Sequence, residues 1–165
     1  MISRKVLITG SFAVGKTSLF NRFIHNTFSE RYLTTIGVKV DKKEVSVNGQ
    51  EVSLVLWDIA GEVSQEKVPR TYFLGASAVI YIFDLSRPNT LQNMEADLRI
   101  IQSALPGCLV QVVGNKKDLL DDEELLIMQR QVPEASTFTS AKTGENVEQL
   151  FFDIGSKLLE QRELD

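Results

Sequence analysis

The segment Gly10-Ser11-Phe12-Ala13-Val14-Gly15-Lys16-Thr17 runs glycine, four residues, glycine, lysine, then a hydroxyl residue, an order suited to gripping a polyphosphate. Such a loop turns its backbone N–H groups inward onto the phosphates, and the dipole of the following helix adds positive potential there. Gly10 and Gly15 relieve steric limits where the backbone must wrap a ligand closely. Lys16 brings a mobile cation to the outer phosphates, and the Thr17 hydroxyl suits a magnesium ion. Ala13, Val14, Gly15, Lys16, Thr17 and Ser18 are therefore the expected phosphate contacts. The plainer alternative is a Gly-rich turn that only caps a helix.

A phosphate loop does not choose the base. Asn115-Lys116-Lys117-Asp118, after the apolar run Leu109–Val113, does. An Asp118 carboxylate can accept two parallel hydrogen bonds from the ring N–H and exocyclic amine of guanine, a donor pair that adenine lacks. Asn115 and Lys116 belong to the same expected base site. Ser140-Ala141-Lys142 can supply a backbone N–H to the guanine carbonyl, with the Lys142 stem over the base. Taken alone that tripeptide carries little information. In Trp57-Asp58-Ile59-Ala60-Gly61, Asp58 is placed to hold Mg2+ through water, and Gly61 can bring an N–H to a terminal phosphate. Thr35 can add a second hydroxyl to the ion, so Thr17, Thr35 and Asp58 form the expected metal set.

These residues need a scaffold, and the hydrophobic pattern supplies one. Lys5–Thr9 reads as a buried strand, and Lys16–His25 carries Leu19, Phe20, Phe23 and Ile24 at helical spacing. Val38–Val47 and Glu51–Trp57 alternate around Asn48-Gly49, the signature of a tight antiparallel hairpin. Ala78–Phe83 and Leu109–Val113 are further buried strands, and Thr137–Thr139 is a brief last one. Helices are expected over Asn89–Leu105, Asp121–Arg130 and Glu145–Leu159. Strands alternating with helices imply an α/β fold with a mostly parallel sheet covered on both faces.

With 165 residues, 43% hydrophobic and 24% charged, the chain has the size and composition of one soluble globular domain, expected over 1–165. A net charge of −4 offers no basic field for nucleic acid or an anionic bilayer. The longest apolar runs are too short to span a membrane. A single cysteine, Cys108, excludes an internal disulfide and fits a reducing, cytoplasmic setting. No metal-ligand neighbours surround His25, which reads as a helix-end surface residue.

Together the motifs resemble the Ras superfamily of small GTPases, and within it most the Rab family, over nearly the whole chain. The Rab-like touches are Thr34-Thr35-Ile36-Gly37-Val38, Trp57 before Asp58, and Tyr72-Phe73-Leu74-Gly75-Ala76. That resemblance implies the P-loop three-layer sandwich: six strands, five helices and one antiparallel edge strand. It implies Phe28 flanking guanine, GTP or GDP held with Mg2+, and switch segments near Asn26–Gly37 and Ile59–Leu74 ordered by the γ-phosphate. Effectors, exchange factors and GTPase-activating proteins are the implied partners at those switches. Relatives read effectors partly through an aromatic trio; the matching positions here are Val40, Trp57 and Tyr72, so one aromatic is missing.

Two departures bear on catalysis. Glu62 stands directly after Gly61, where family members usually place glutamine. A glutamine amide both accepts and donates; a carboxylate only accepts, and it adds negative charge to an anionic site. Phe12 stands where Ras-like loops commonly carry a small residue, and its ring would crowd the γ-phosphate side or an incoming arginine finger. The expected catalytic set is Lys16, Thr35, Gly61 and Glu62, with slow hydrolysis. Glu62 as a general base, and Arg31 or Arg70 as a cation in cis, are the minority readings. The C-terminal Arg162-Glu163-Leu164-Asp165 has no prenylation cysteine, and Ile2 stands where myristoylation needs glycine. A lipidated tail outside this sequence, a protein without an anchor, and a piece of a larger protein remain as three options.

Three activities compete. A GTPase switch is the leading one. A GTP-dependent interaction module with negligible hydrolysis is the alternative that Phe12 and Glu62 make reasonable. A metabolic kinase lacks support, since no separate substrate domain or lid is visible.

Overall fold

The structure, a computed structural model, describes residues 1–30, 37–59, 65 and 68–164. Its elements in chain order are β1 (Ile2–Gly10), α1 (Lys16–His25), β2 (Val38–Val47), β3 (Gln50–Ile59), α2 (Arg70–Phe73), β4 (Ala76–Asp84), α3 (Met94–Ala104), β5 (Leu109–Asn115), α4 (Asp122–Gln131), β6 (Ala135–Phe138) and α5 (Val147–Leu164). The sheet order is β2-β3-β1-β4-β5-β6. Only β2 runs antiparallel; every other neighbouring pair is parallel. Asn48 and Gly49 take φ values of 51° and 79°, the left-handed pair that a two-residue hairpin needs, and they pair Val47 with Gln50.

Alternation along the central strands feeds two cores. Val6 and Ile8 of β1, Leu54 and Leu56 of β3, and Ile80 and Ile82 of β4 pack on one face against α1 and α5. Phe23 of α1 and Phe151 of α5 stack there, centroids 3.8 Å apart. Leu7, Val79 and Tyr81 point the other way, toward α2 and α3, with α4 beside them over Phe83 and Val112. Each fully buried large apolar side chain contributes about 1.5–3 kcal/mol, so a sheet covered on both faces is the favourable solution. The expected three-layer architecture is the one observed.

Element ends follow local chemistry. Helix α1 starts at Lys16 after Gly15 (φ 99°) and ends at Asn26 (φ 52°), whose N–H returns to the Arg22 and Asn21 carbonyls. Asp121 and Glu124 close a reciprocal capping box on α4. The helix expected from Asn89 begins only at Met94, because Pro88–Leu91 forms a separate 3-10 turn. Thr90 holds that turn: its hydroxyl donates to the Arg87 carbonyl at 2.8 Å and accepts from the Asp84 N–H at 2.9 Å. The short helix α2 carries no apolar period over its four residues, and it completes the five helices that the resemblance implies. Because β1, β3, β4, β5 and β6 are parallel, their C-terminal ends line up along one edge of the sheet. Among the described residues no helix is long and apolar enough to cross a membrane.

Candidate nucleotide site

The loop after β1 wraps onto the N-terminus of α1. Gly15 is required there: at φ 99° a Cβ would sit 2.2 Å from Asn115 Nδ2. Its lack of a side chain also leaves α1 with no side-chain cap at its positive end. Lys16 is 6% exposed and reaches back across the loop, donating to the Ser11 carbonyl at 2.6 Å and the Gly10 carbonyl at 3.2 Å. Burial pushes its ammonium down to about 8, against the opposing pull of Asp58. A buried cation in a main-chain cradle is a ready partner for an anion. Val14 is buried and Ser18 half-buried on the first turn of α1.

Asp58, next to last in β3, is completely buried, and the Thr17 hydroxyl donates to its Oδ2 at 2.6 Å. The register that pairs Ile8 with Asp58 sets Asp58 beside the end of β1, from which the loop runs on to Thr17 in α1. A hydroxyl and one carboxylate are hard oxygen donors, the set that Mg2+ accepts when phosphate and water complete its shell. The residues present fit that ion. Thr35, the third expected ligand, lies outside the described residues, as do Gly61, Glu62 and Arg31.

The loops after β5 and β6 interlock. Asn115 is buried; its Nδ2 donates to the Val14 carbonyl at 3.1 Å, and its Oδ1 accepts from the Thr139 hydroxyl and the Ala141 N–H. This one amide ties the phosphate loop to both base loops. Ser140 donates its hydroxyl to Asp118 Oδ1 at 2.7 Å, while the Asp118 carboxylate faces solvent. Lys116, at φ 67°, donates to the Ala13 carbonyl at 3.0 Å. Arg22 reaches from α1 to the Ala141 and Lys142 carbonyls, so the last loop is braced from below. Lys142 pairs with Glu30 at 3.0 Å, bridging the base loop to the segment after α1. Phe28 is half-buried against the core between α1 and α5.

Of the expected partner surface, Val40 is 47% exposed, and Trp57 and Tyr72 are half-buried with centroids 6.1 Å apart. Lys5 lies 3.7 Å over the Trp57 ring and donates to the Leu74 carbonyl. Trp57 thus fills part of the core on the α3 side and still meets solvent. The Phe12 side chain is 45% exposed at the loop tip.

The motif reading overlooked Asp84 and Arg87. Asp84 is a fully buried carboxylate at the end of β4, on the same edge as Asp58 and Asn115. An acidic residue closing an apolar strand on that edge was the available signal. Its chemical setting lowers its pKa: burial alone would raise it, and hydrogen bonds from Ser86, Arg87 and Lys116 outweigh burial.

A Gly-Lys-Thr loop between β1 and α1, on the edge of a parallel sheet covered on both faces, defines the P-loop nucleotide-binding class. Comparison with known proteins narrows this. Residues 5–160 match the model of the Ras family. Ras-related protein Rab-4B of Homo sapiens is 35% identical over 168 residues, covering 94% of this chain and 76% of the relative. Ras-related protein Rab-4A of Homo sapiens is 35% identical over 177 residues, covering 98% of this chain and 78% of the relative. Ras-related protein Rab-34 of Rattus norvegicus is 34% identical over 168 residues, covering 94% and 64%. The chain belongs to the Ras family of small GTPases and is Rab-like within it.

Proposed function

We propose that residues 1–165 form one domain that binds GTP or GDP with Mg2+ and hydrolyses GTP slowly as a molecular switch. The observation that carries this reading is the Thr17–Asp58 contact beside buried Lys16: hydroxyl, carboxylate and ammonium converge at the positive end of α1. In this reading the amides of Ala13, Val14, Gly15, Lys16, Thr17 and Ser18 wrap the phosphates, and Lys16 offsets charge on the outer ones. Mg2+, held by Thr17, Thr35 and Asp58, supplies charge neutralisation at the phosphates when bound. Asp118 selects guanine, with Ser140 orienting its carboxylate and Ala141 offering its N–H. Phe28 and the Lys142 stem flank the base, while Asn115 and Lys116 hold the loops in place. Gly61 would supply an N–H to the γ-phosphate, and the Thr35 backbone and Glu62 would orient the attacking water.

Slow hydrolysis follows from Glu62, which accepts but does not donate, and from Phe12 beside the γ-phosphate. Effectors, exchange factors and activating proteins would read the surface around Val40, Trp57 and Tyr72 in the cytoplasm. The exposure of Phe12 favours a second reading, a GTP-dependent interaction module with negligible turnover. Single-turnover phosphate release from GTP separates the two. The switch reading expects a slow measurable rate that Glu62→Gln raises by roughly tenfold, about 1.4 kcal/mol of barrier. Fast turnover left unchanged by Glu62→Gln and Phe12→Gly contradicts it, and no release from any variant favours the module.

A further inference from the structure

Two cations outside the phosphate loop converge on its outer side. Asp84, wholly buried, accepts at Oδ2 from Arg87 Nε at 2.8 Å and from Lys116 Nζ at 2.9 Å. Its Oδ1 accepts from the Ser86 N–H at 2.8 Å and the Ser86 hydroxyl at 2.6 Å. Held in this way, Arg87 Nη2 donates to the Ala13 carbonyl at 2.7 Å and to the Phe12 carbonyl at 3.1 Å. Lys116 adds a third bond, to the Ala13 carbonyl at 3.0 Å. The turn bearing Arg87 is itself fixed by Thr90, whose carbonyl also receives the Ser11 hydroxyl at 3.3 Å.

The consequence lies in peptide geometry. In a planar trans peptide the C=O and the following N–H point in opposite directions. Pinning the Phe12 and Ala13 carbonyls toward Arg87 therefore turns the N–H groups of Ala13 and Val14 away from it. Ala13 holds φ 57°, a left-handed conformation that disfavours a residue with a Cβ. Such a conformation persists only when its surroundings impose it. The Asp84–Arg87 pair supplies that imposition.

We infer that Arg87, oriented by Asp84, is a positioning residue for phosphate recognition: it holds the loop amides in the direction that grips the outer phosphates without touching nucleotide. The inference rests on the guanine-nucleotide reading above. Its signature is selective, because GMP has no β-phosphate for those amides to wrap, and Arg87 bonds to Asp84 and the loop carbonyls rather than to Asp118 or Ala141.

The test compares GDP and GMP affinity, with Mg2+ present, for the wild-type protein, Arg87→Ala and Arg87→Lys. Loss of charge-assisted bonds to the loop predicts that Arg87→Ala lowers the ratio of GDP to GMP affinity about tenfold. Arg87→Lys keeps the charge without the fork that spans carboxylate and carbonyl, and recovers part or all of the ratio. An unchanged ratio in both variants, including an equal loss of GDP and GMP binding, overturns the inference. If Arg87→Ala fails to fold, an Arg87→Lys ratio equal to wild type alongside an unchanged ratio in Arg87→Gln overturns it, and a lowered ratio in Arg87→Gln supports it. A wild-type protein that binds neither nucleotide instead removes the functional reading beneath it.

Discussion

The hydroxyl of Ser140 donates to Asp118 Oδ1 at 2.7 Å, joining the loop after β6 to the loop after β5. This bond fixes the orientation of an exposed carboxylate, whose oxygens can each accept more than one hydrogen bond. Asp118→Ala is expected to weaken GDP binding by about 100-fold, from two charge-assisted bonds lost, while leaving ADP binding unchanged. Ser140→Ala removes the orienting bond alone and is expected to cost about 1 kcal/mol. Titration calorimetry with both nucleotides checks the pair.

The Phe23–Phe151 stack sits at the centre of the core between α1, α5 and the sheet. Phe151→Ala removes a fully buried ring and is expected to lower stability by about 3–5 kcal/mol. Phe151→Leu is expected to cost less than half of that. Urea unfolding of the two variants gives the values.

Asp84 should make stability depend on acid. Its folded pKa lies below the ordinary 3.8, with the effect of burial outweighed by bonds from Ser86, Arg87 and Lys116. A carboxylate with a lowered folded pKa binds fewer protons folded than unfolded, so its contribution is present above that ordinary value. The contribution is then lost as pH falls through the folded value. Asp84→Asn is expected to destabilise the protein by about 3 kcal/mol at pH 7. The gap should narrow below pH of about 4. Urea titrations at several pH values would reveal it, and a gap independent of pH would speak against the assignment.

Cys108 should react sluggishly. Burial pushes its thiol up to about 11. Relative to an ordinary thiol near 9, the thiolate fraction at pH 8 falls about 100-fold, and alkylation slows with it. Iodoacetamide applied at pH 8 to folded and urea-unfolded protein measures the ratio.

Helix α1 was readable in the sequence at both ends because Gly15 and Asn26 bracket a clear apolar period. Strands β1 and β4 extend beyond their apolar cores, since flanking residues such as Ser3, Arg4 and Asp84 join the backbone ladder whatever their side chains. The phosphate and base motifs were legible because their chemistry needs contiguous residues. Asp84 and Arg87 were not: three apart around a turn, they look like a surface ion pair. Burial of Asp84 emerges only once β4 takes its place between β1 and β5. Asn115 likewise read as a base contact, whereas its role as a tie between three loops depends on their juxtaposition.

Equilibrium competition between GDP and ADP for the purified protein, with Mg2+ present, addresses the account at its root. A carboxylate at Asp118 matched to the guanine donor pair predicts GDP preferred by at least about 100-fold. Equal affinity for the two nucleotides would contradict it.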